Sequence, residues 1–180
     1  MSFNYNGWLC ENGIVPDIVM GDFDSLGSVP VHDNVIKFKT EKDDTDTSLA
    51  LDEGVRRGYK RFAVYGATGG RLDHTLANIQ CIAKLSQQGI DARIYGRNCE
   101  IIALTNGKIE FSEAESGIIS VFSFTDKSEG VCESGLKYTL SGQTLTNTVP
   151  LGVSNEFIGE RAAVSVEKGT LVIIKTGVDK

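Results

Sequence analysis

Arg61-Phe62-Ala63-Val64-Tyr65-Gly66-Ala67-Thr68-Gly69-Gly70-Arg71-Leu72-Asp73-His74 is the stretch on which the fold assignment turns. Its first five residues read as a short strand, its three glycines as a turn, and Asp73 as the opening of a helix over residues 73–88 ended by Gly89. A further strand is expected at 91–95. Upstream the same alternation holds, with a strand at 17–20 and a helix over 46–57 that stops at Gly58. Strand and helix in alternation predict an α/β domain with a parallel sheet. After residue 100 the pattern changes to short strands punctuated by glycine, at 101–105, 108–111, 117–123, 130–132, 144–147, 160–166 and 170–174. That succession predicts an all-β sandwich. The expected fold is thus an α/β domain over residues 1–98 followed by a β-sandwich over 99–180.

Composition bounds the function. With 180 residues and 41% hydrophobic content the chain buries a real core. No apolar run approaches the roughly 20 residues that span a bilayer, and the start lacks a basic segment followed by an apolar one. Cys10, Cys81, Cys99 and Cys132 are scattered, without a C-x-x-C pair, and read as reduced thiols. A cytoplasmic location and no membrane partner are the resulting expectations. A net charge of −6 argues against nucleic acid, whose phosphates call for a basic face.

The acids are not evenly spread. Gly21-Asp22-Phe23-Asp24-Ser25 follows the apolar run Ile18-Val19-Met20 and sets two carboxylates one residue apart. At a strand end such a pair points one way and suits Mg²⁺, which prefers hard oxygen ligands. Lys42-Asp43-Asp44-Thr45-Asp46 sits at a helix start, where the dipole and free N–H groups favour phosphate. The 66–74 turn adds Gly69 and Gly70 for close backbone approach and Arg71 as a planar phosphate donor. It lacks the G-x-x-x-x-G-K-[ST] order of a P-loop. Each cluster taken singly also reads as an ordinary turn or cap. Together, at the carboxyl ends of parallel strands, so many acids imply one or two Mg²⁺ carrying a polyphosphate.

These motifs, with Gly135-Leu136-Lys137-Tyr138 and Gly152-Val153-Ser154-Asn155-Glu156-Phe157, resemble bacterial thiamine pyrophosphokinase in order and interval, from about Glu11 to Ile174. The resemblance implies transfer of a pyrophosphoryl group from ATP to the hydroxyl of thiamine, giving thiamine diphosphate and AMP, by a homodimer. It implies Asp22, Asp24 and Asp46 as metal ligands, with Ser25, Thr45, Gly69, Gly70 and Arg71 on the nucleotide. Asp73 and His74 would lie toward thiamine, and Asp22, Asp24, Asp46, Arg71 and Asp73 would form the catalytic set. Tyr138, Ser154 and Asn155 would hold the aminopyrimidine.

One departure is visible. The family's leading apolar strand, glycine turn and Asp are missing or altered before Glu11, where Phe3-Asn4-Tyr5-Asn6-Gly7 stands instead. Two alternatives stay open beside the kinase: a related pyrophosphokinase acting on a hydroxymethylpterin, and a thiamine- or nucleotide-binding remnant without turnover.

Overall fold

The computed structural model describes residues 13–23, 31–38 and 45–177. They form two compact units, Met1–Tyr59 and Lys60–Lys180.

In the first unit, β1 (Val19–Gly21) pairs in parallel with β2 (Val35–Lys37), and α1 (Asp46–Arg56) follows. All three β1 residues are buried, and Ile18 and Met20 pack with Ala50 of α1, flanked by Ile36 and Phe38. The Thr45 hydroxyl oxygen caps α1 by accepting the Ser48 N–H at 3.1 Å, the usual service of an N-cap threonine. Glu53 accepts from both Arg56 and Arg57, and these hydrogen bonds hold its pKa down to about 2.

The second unit holds β3 (Arg61–Tyr65), α2 (Leu72–Gln87), β4 (Asp91–Tyr95), β5 (Cys99–Thr105), β6 (Lys108–Phe111), β7 (Ile118–Ser123), β8 (Lys127–Ser134), β9 (Leu140–Thr146), β10 (Gly152–Glu156), β11 (Ala162–Ser165) and β12 (Thr170–Thr176). Six strands form one sheet in the order β10-β7-β12-β5-β4-β3, and four form another, β6-β11-β8-β9. Inward residues of both make one core: Ile119, Val121, Leu171 and Ile173 from the first, Phe111, Val131, Leu145 and Val164 from the second. Helix α2 lies against β4, β5 and β12 through Ile82, Ala83 and Leu85. Its far end is fastened by hydroxyls, Ser86 to Thr105 at 3.0 Å and Gln87 to Thr170 at 3.2 Å.

The expected fold class is overturned. The described residues are mostly β, with two helices, and among them no separate N-terminal parallel nucleotide-binding domain forms. Only β3 and β4 run parallel in the large sheet; β4 pairs antiparallel with β5, and the same sheet continues across residues 98–99. The reason is chain length. Residues 96–98 turn tightly, with the Gly96 N–H donating to the Cys99 carbonyl at 2.8 Å. A parallel crossover needs a dozen residues or more, so β5 must return beside β4.

A polar row crosses this sheet around the buried Glu100 and Lys175. Lys175 bonds Glu100 at 3.0 Å and Glu115 at 2.6 Å, and Arg93 reaches Glu100 at 3.2 Å. Burial pushes the Lys175 ammonium down, but the bonds to Glu115 and Glu100 more than offset it and leave its pKa raised.

Candidate active site

Strand β1 delivers the first acid motif. Beyond Gly21 the chain turns through Phe23, a buried non-glycine residue at φ 62° whose ring lies 3.5 Å from where a Cβ on Gly21 would stand. A left-handed Phe is a strained conformation of the kind that persists where the surroundings enforce it. Asp46 occupies the first turn of α1, beside the Thr45 cap. Asp24, Ser25, Lys42, Asp43 and Asp44 lie outside the described residues. Among the described residues no three His, Cys, Asp or Glu side chains stand together as a metal cluster.

The glycine-rich turn leads from β3 into α2. Gly66 and Gly69 take φ of 71° and 92°, conformations that favour glycine, with open space where a Cβ would go at Gly66, Gly69 and Gly70. The buried Asn78 of α2 donates from Nδ2 to the Ala67 carbonyl at 3.0 Å, tying the turn to the helix behind it. Arg71 is the N-cap of α2 without a side-chain capping bond; instead it grips Asp73 through two bonds, Nε to Oδ1 at 3.1 Å and Nη2 to Oδ2 at 2.5 Å. Asp73 Oδ1 also accepts the His74 N–H at 3.0 Å. The pair is exposed, at 72% and 61%. Its hydrogen bonds lower the Asp73 pKa and raise that of Arg71, so both stay charged across the neutral range. A bidentate arginine on an exposed turn can exchange its carboxylate for a phosphate of similar geometry.

The two late motifs meet. Leu136 and Phe157 form a β-bridge, the Lys137 N–H donates to the Glu156 carbonyl at 3.1 Å, and Lys137 Nζ pairs with Glu156 Oε1 at 2.9 Å. Tyr138 is 61% exposed. Ser154 is exposed and left-handed, φ 60°, in an irregularity of the β10–β7 pairing, its N–H held by Ser120 Oγ at 3.0 Å. Asn155 is buried, and its amide bonds Glu133 and both backbone groups of Tyr138.

The structure therefore gathers Arg71, Asp73 and His74 in one group and Tyr138, Ser154 and Asn155 in another, while Asp22, Thr45 and Asp46 belong to the first compact unit. Sequence reasoning passed over Asn78, Phe23 and Glu133. A charged residue two positions from Val131 falls on the inward face of β8, and that alternation was the available signal for Glu133.

Two family models match this chain in succession: the thiamin pyrophosphokinase catalytic domain over residues 5–94 and the thiamin pyrophosphokinase vitamin B1 binding domain over residues 106–171. The chain is 31% identical to the thiamine pyrophosphokinase of Bacillus subtilis (strain 168) over 179 residues, covering 93% of this chain and 82% of that protein. Among solved structures, the Bacillus subtilis enzyme superposes with a TM-score of 0.80 at 29% identity, over 93% of this chain and 82% of the other. A thiamin pyrophosphokinase family protein from Enterococcus faecalis gives 0.80 at 31% identity, over 96% and 84%.

Proposed function

The chain belongs to the thiamine pyrophosphokinase family, ATP-dependent pyrophosphotransferases that act on thiamine, and from that premise we propose how its own residues divide the work. The observation that carries the reading is the succession of catalytic and vitamin-binding models along one chain. In the reaction the thiamine hydroxyl oxygen bonds to the β-phosphorus of ATP, the bridging α–β oxygen leaves with AMP, and the hydroxyl proton is lost.

Arg71 takes phosphate charge by exchanging its Asp73 partner for phosphate oxygens, and the open backbone at Gly69 and Gly70 lets the polyphosphate approach. Asp73, released from Arg71, orients the attacking hydroxyl. While the ion pair stands, Asp73 is a weak base, because the guanidinium holds its pKa low. Phosphoryl transfer through a loose transition state tolerates this, since the alcohol needs to shed its proton only late. Thr45, Asp46 and Ser25 belong on the nucleotide side, and His74 beside Asp73 on the acceptor side.

Asp22, Asp24 and Asp46 offer the carboxylate oxygens that Mg²⁺ takes, so the donor set fits that ion and would hold it. When bound, the ion neutralises charge on the transferred group. The exposed Tyr138 ring and the Ser154 hydroxyl form the outward part of the vitamin site. A homodimer and a cytoplasmic location complete the proposal. No described helix is long and apolar enough to cross a membrane.

The test is incubation with ATP, Mg²⁺ and either thiamine or a hydroxymethylpterin, with AMP followed by chromatography. AMP appearing one for one with thiamine diphosphate is expected. AMP with the pterin alone would reassign the acceptor, and ATP binding without AMP in either arm would leave a binding protein only.

A further inference from the structure

Glu133 is an interior carboxylate that the reaction does not use. It sits on β8, 1% exposed, facing inward two residues from the buried Val131. Its Oε2 accepts from Asn155 Nδ2 at 2.7 Å, while Oε1 has no hydrogen-bond partner among the described residues. Beside Oε1 lies Gly152, where a Cβ would stand 3.2 Å from that oxygen and 2.5 Å from the Val121 carbonyl. The strand carrying Ser154 and Asn155 can approach β7 this closely only without a side chain at 152.

Asn155 distributes what Glu133 anchors. Its Nδ2 donates to Glu133 and to the Tyr138 carbonyl, each at 2.7 Å; its Oδ1 accepts the N–H of Tyr138 at 2.9 Å and of Glu156 at 3.0 Å. A flipped amide would turn Oδ1 toward a carboxylate and a carbonyl, both acceptors, and set its NH₂ against two N–H donors. Glu133 thus helps dictate which way the amide faces. The amide in turn clamps the backbone of Tyr138 at both its N–H and its carbonyl.

We infer that Glu133 is a positioning residue for the vitamin site: acting through Asn155, it fixes the backbone from which Tyr138 presents its exposed ring. This inference rests on the proposed reading of Tyr138 and Ser154 as the thiamine-binding surface. A buried carboxylate with one orphaned oxygen is a poor way to stabilise a β core, since an apolar side chain of similar size would pack there without desolvation cost. Its acceptor oxygen toward Asn155 is what an apolar replacement cannot supply.

The experiment compares Glu133→Leu, Glu133→Gln and Tyr138→Ala in steady-state kinetics, with thermal unfolding of each. Glu133→Leu removes the acceptor while filling the space; its expected effect is a rise of about tenfold in the KM for thiamine, with kcat and the KM for ATP within about twofold. Glu133→Gln keeps an acceptor oxygen for Asn155 and should stay within about twofold of the parent. In the Tyr138→Ala background Glu133→Leu should add little, because both changes act on one element.

An unchanged thiamine KM in Glu133→Leu, equal rises for both substrates, or full additivity with Tyr138→Ala overturns the inference. Should Glu133→Leu not fold, Glu133→Asp draws the acceptor back by one methylene and carries the same expectation. Tyr138→Ala alone separates the two levels: an unchanged thiamine KM there refutes the vitamin-site reading itself, whereas a raised one beside a silent Glu133→Leu refutes only the positioning role.

Discussion

Replacing Gly135 by Ala probes a close backbone approach at the seam between β8 and β11, and its cost can be worked from geometry. Gly135 has φ 66°, and an added Cβ would stand 2.0 Å from the Arg161 carbonyl oxygen and 2.8 Å from Ala162 Cα. Both neighbours are backbone, and β8 and β11 are in register just there, Ser134 opposite Ala163. No rotamer change relieves the clash, so the strands must part by more than an ångström. The left-handed conformation costs an alanine about 1 kcal/mol, and overpacking a fixed contact adds about 1–3 kcal/mol. The expected loss is about 3 kcal/mol. Gly142 is the control: φ is 64°, but nothing lies within 4 Å of an added Cβ, so Gly142→Ala should cost only about 1 kcal/mol. Both substitutions remove similar freedom from the unfolded chain, and that effect cancels in the comparison. Urea unfolding followed by circular dichroism reads the difference; with a slope of about 2 kcal/mol per molar, the two midpoints should separate by about 1 M. Equal midpoints for the two variants would refute the close approach of residues 135 and 161.

Three further outcomes are expected. Asp73→Asn should lower kcat by about a hundredfold or more with little change in unfolding midpoint, since the ion pair is exposed and contributes little to stability; AMP release within threefold of the parent would contradict the assignment. Asn78→Ala removes the bond to the Ala67 carbonyl and should cost about 1–3 kcal/mol while raising the KM for ATP more than that for thiamine, because it frees the glycine turn; equal changes in both KM values would count against that role. Burial raises the Glu133 pKa above its ordinary 4.5, against the pull of the Asn155 bond, so its contribution is fully present below about pH 4.5 and is lost as pH rises through the folded value. The stability of Glu133→Gln relative to the parent should therefore climb with pH from about 4.5 upward in a urea series, and a difference flat with pH would show that burial does not perturb this carboxyl.

Much of the element pattern is written locally. β3 and β4 run over the residues their alternation predicts, 61–65 and 91–95, because glycines bound both on the carboxyl side. The helices end within a residue of expectation, and α2 begins one residue early, at Leu72, since Arg71 caps it by backbone conformation rather than by a side-chain signal. β10 gave no strand signal: it is polar, follows Pro150, and contains a left-handed Ser154. β2 is three residues long, too short for any period to register. Pairing was less legible than the elements, although the decisive fact was present. Three residues between β4 and β5 exclude a crossover, whereas the helix preceding β4 is equally the pattern of a wholly parallel sheet.

The site divides along the same line between what residue type announces and what only packing reveals. Arg71 and Asp73 are marked by type and spacing, and the structure adds that they hold each other, which keeps the Asp73 carboxylate a weak base. Ser154 and Asn155 are adjacent and both polar, so sequence treats them alike. Strand geometry separates them, because successive side chains face opposite ways. The left-handed bulge leaves Ser154 outward, whereas Asn155 turns inward to four hydrogen bonds within the protein. An amide with its donors and acceptor engaged is better suited to hold the surface that meets a ligand than to meet the ligand itself, since each bond diverted outward would leave a buried partner unsatisfied. On the reading proposed above, specificity for the organic acceptor would rest on how firmly an interior carboxylate and a buried amide fix one exposed tyrosine, a property of packing that no single motif carries.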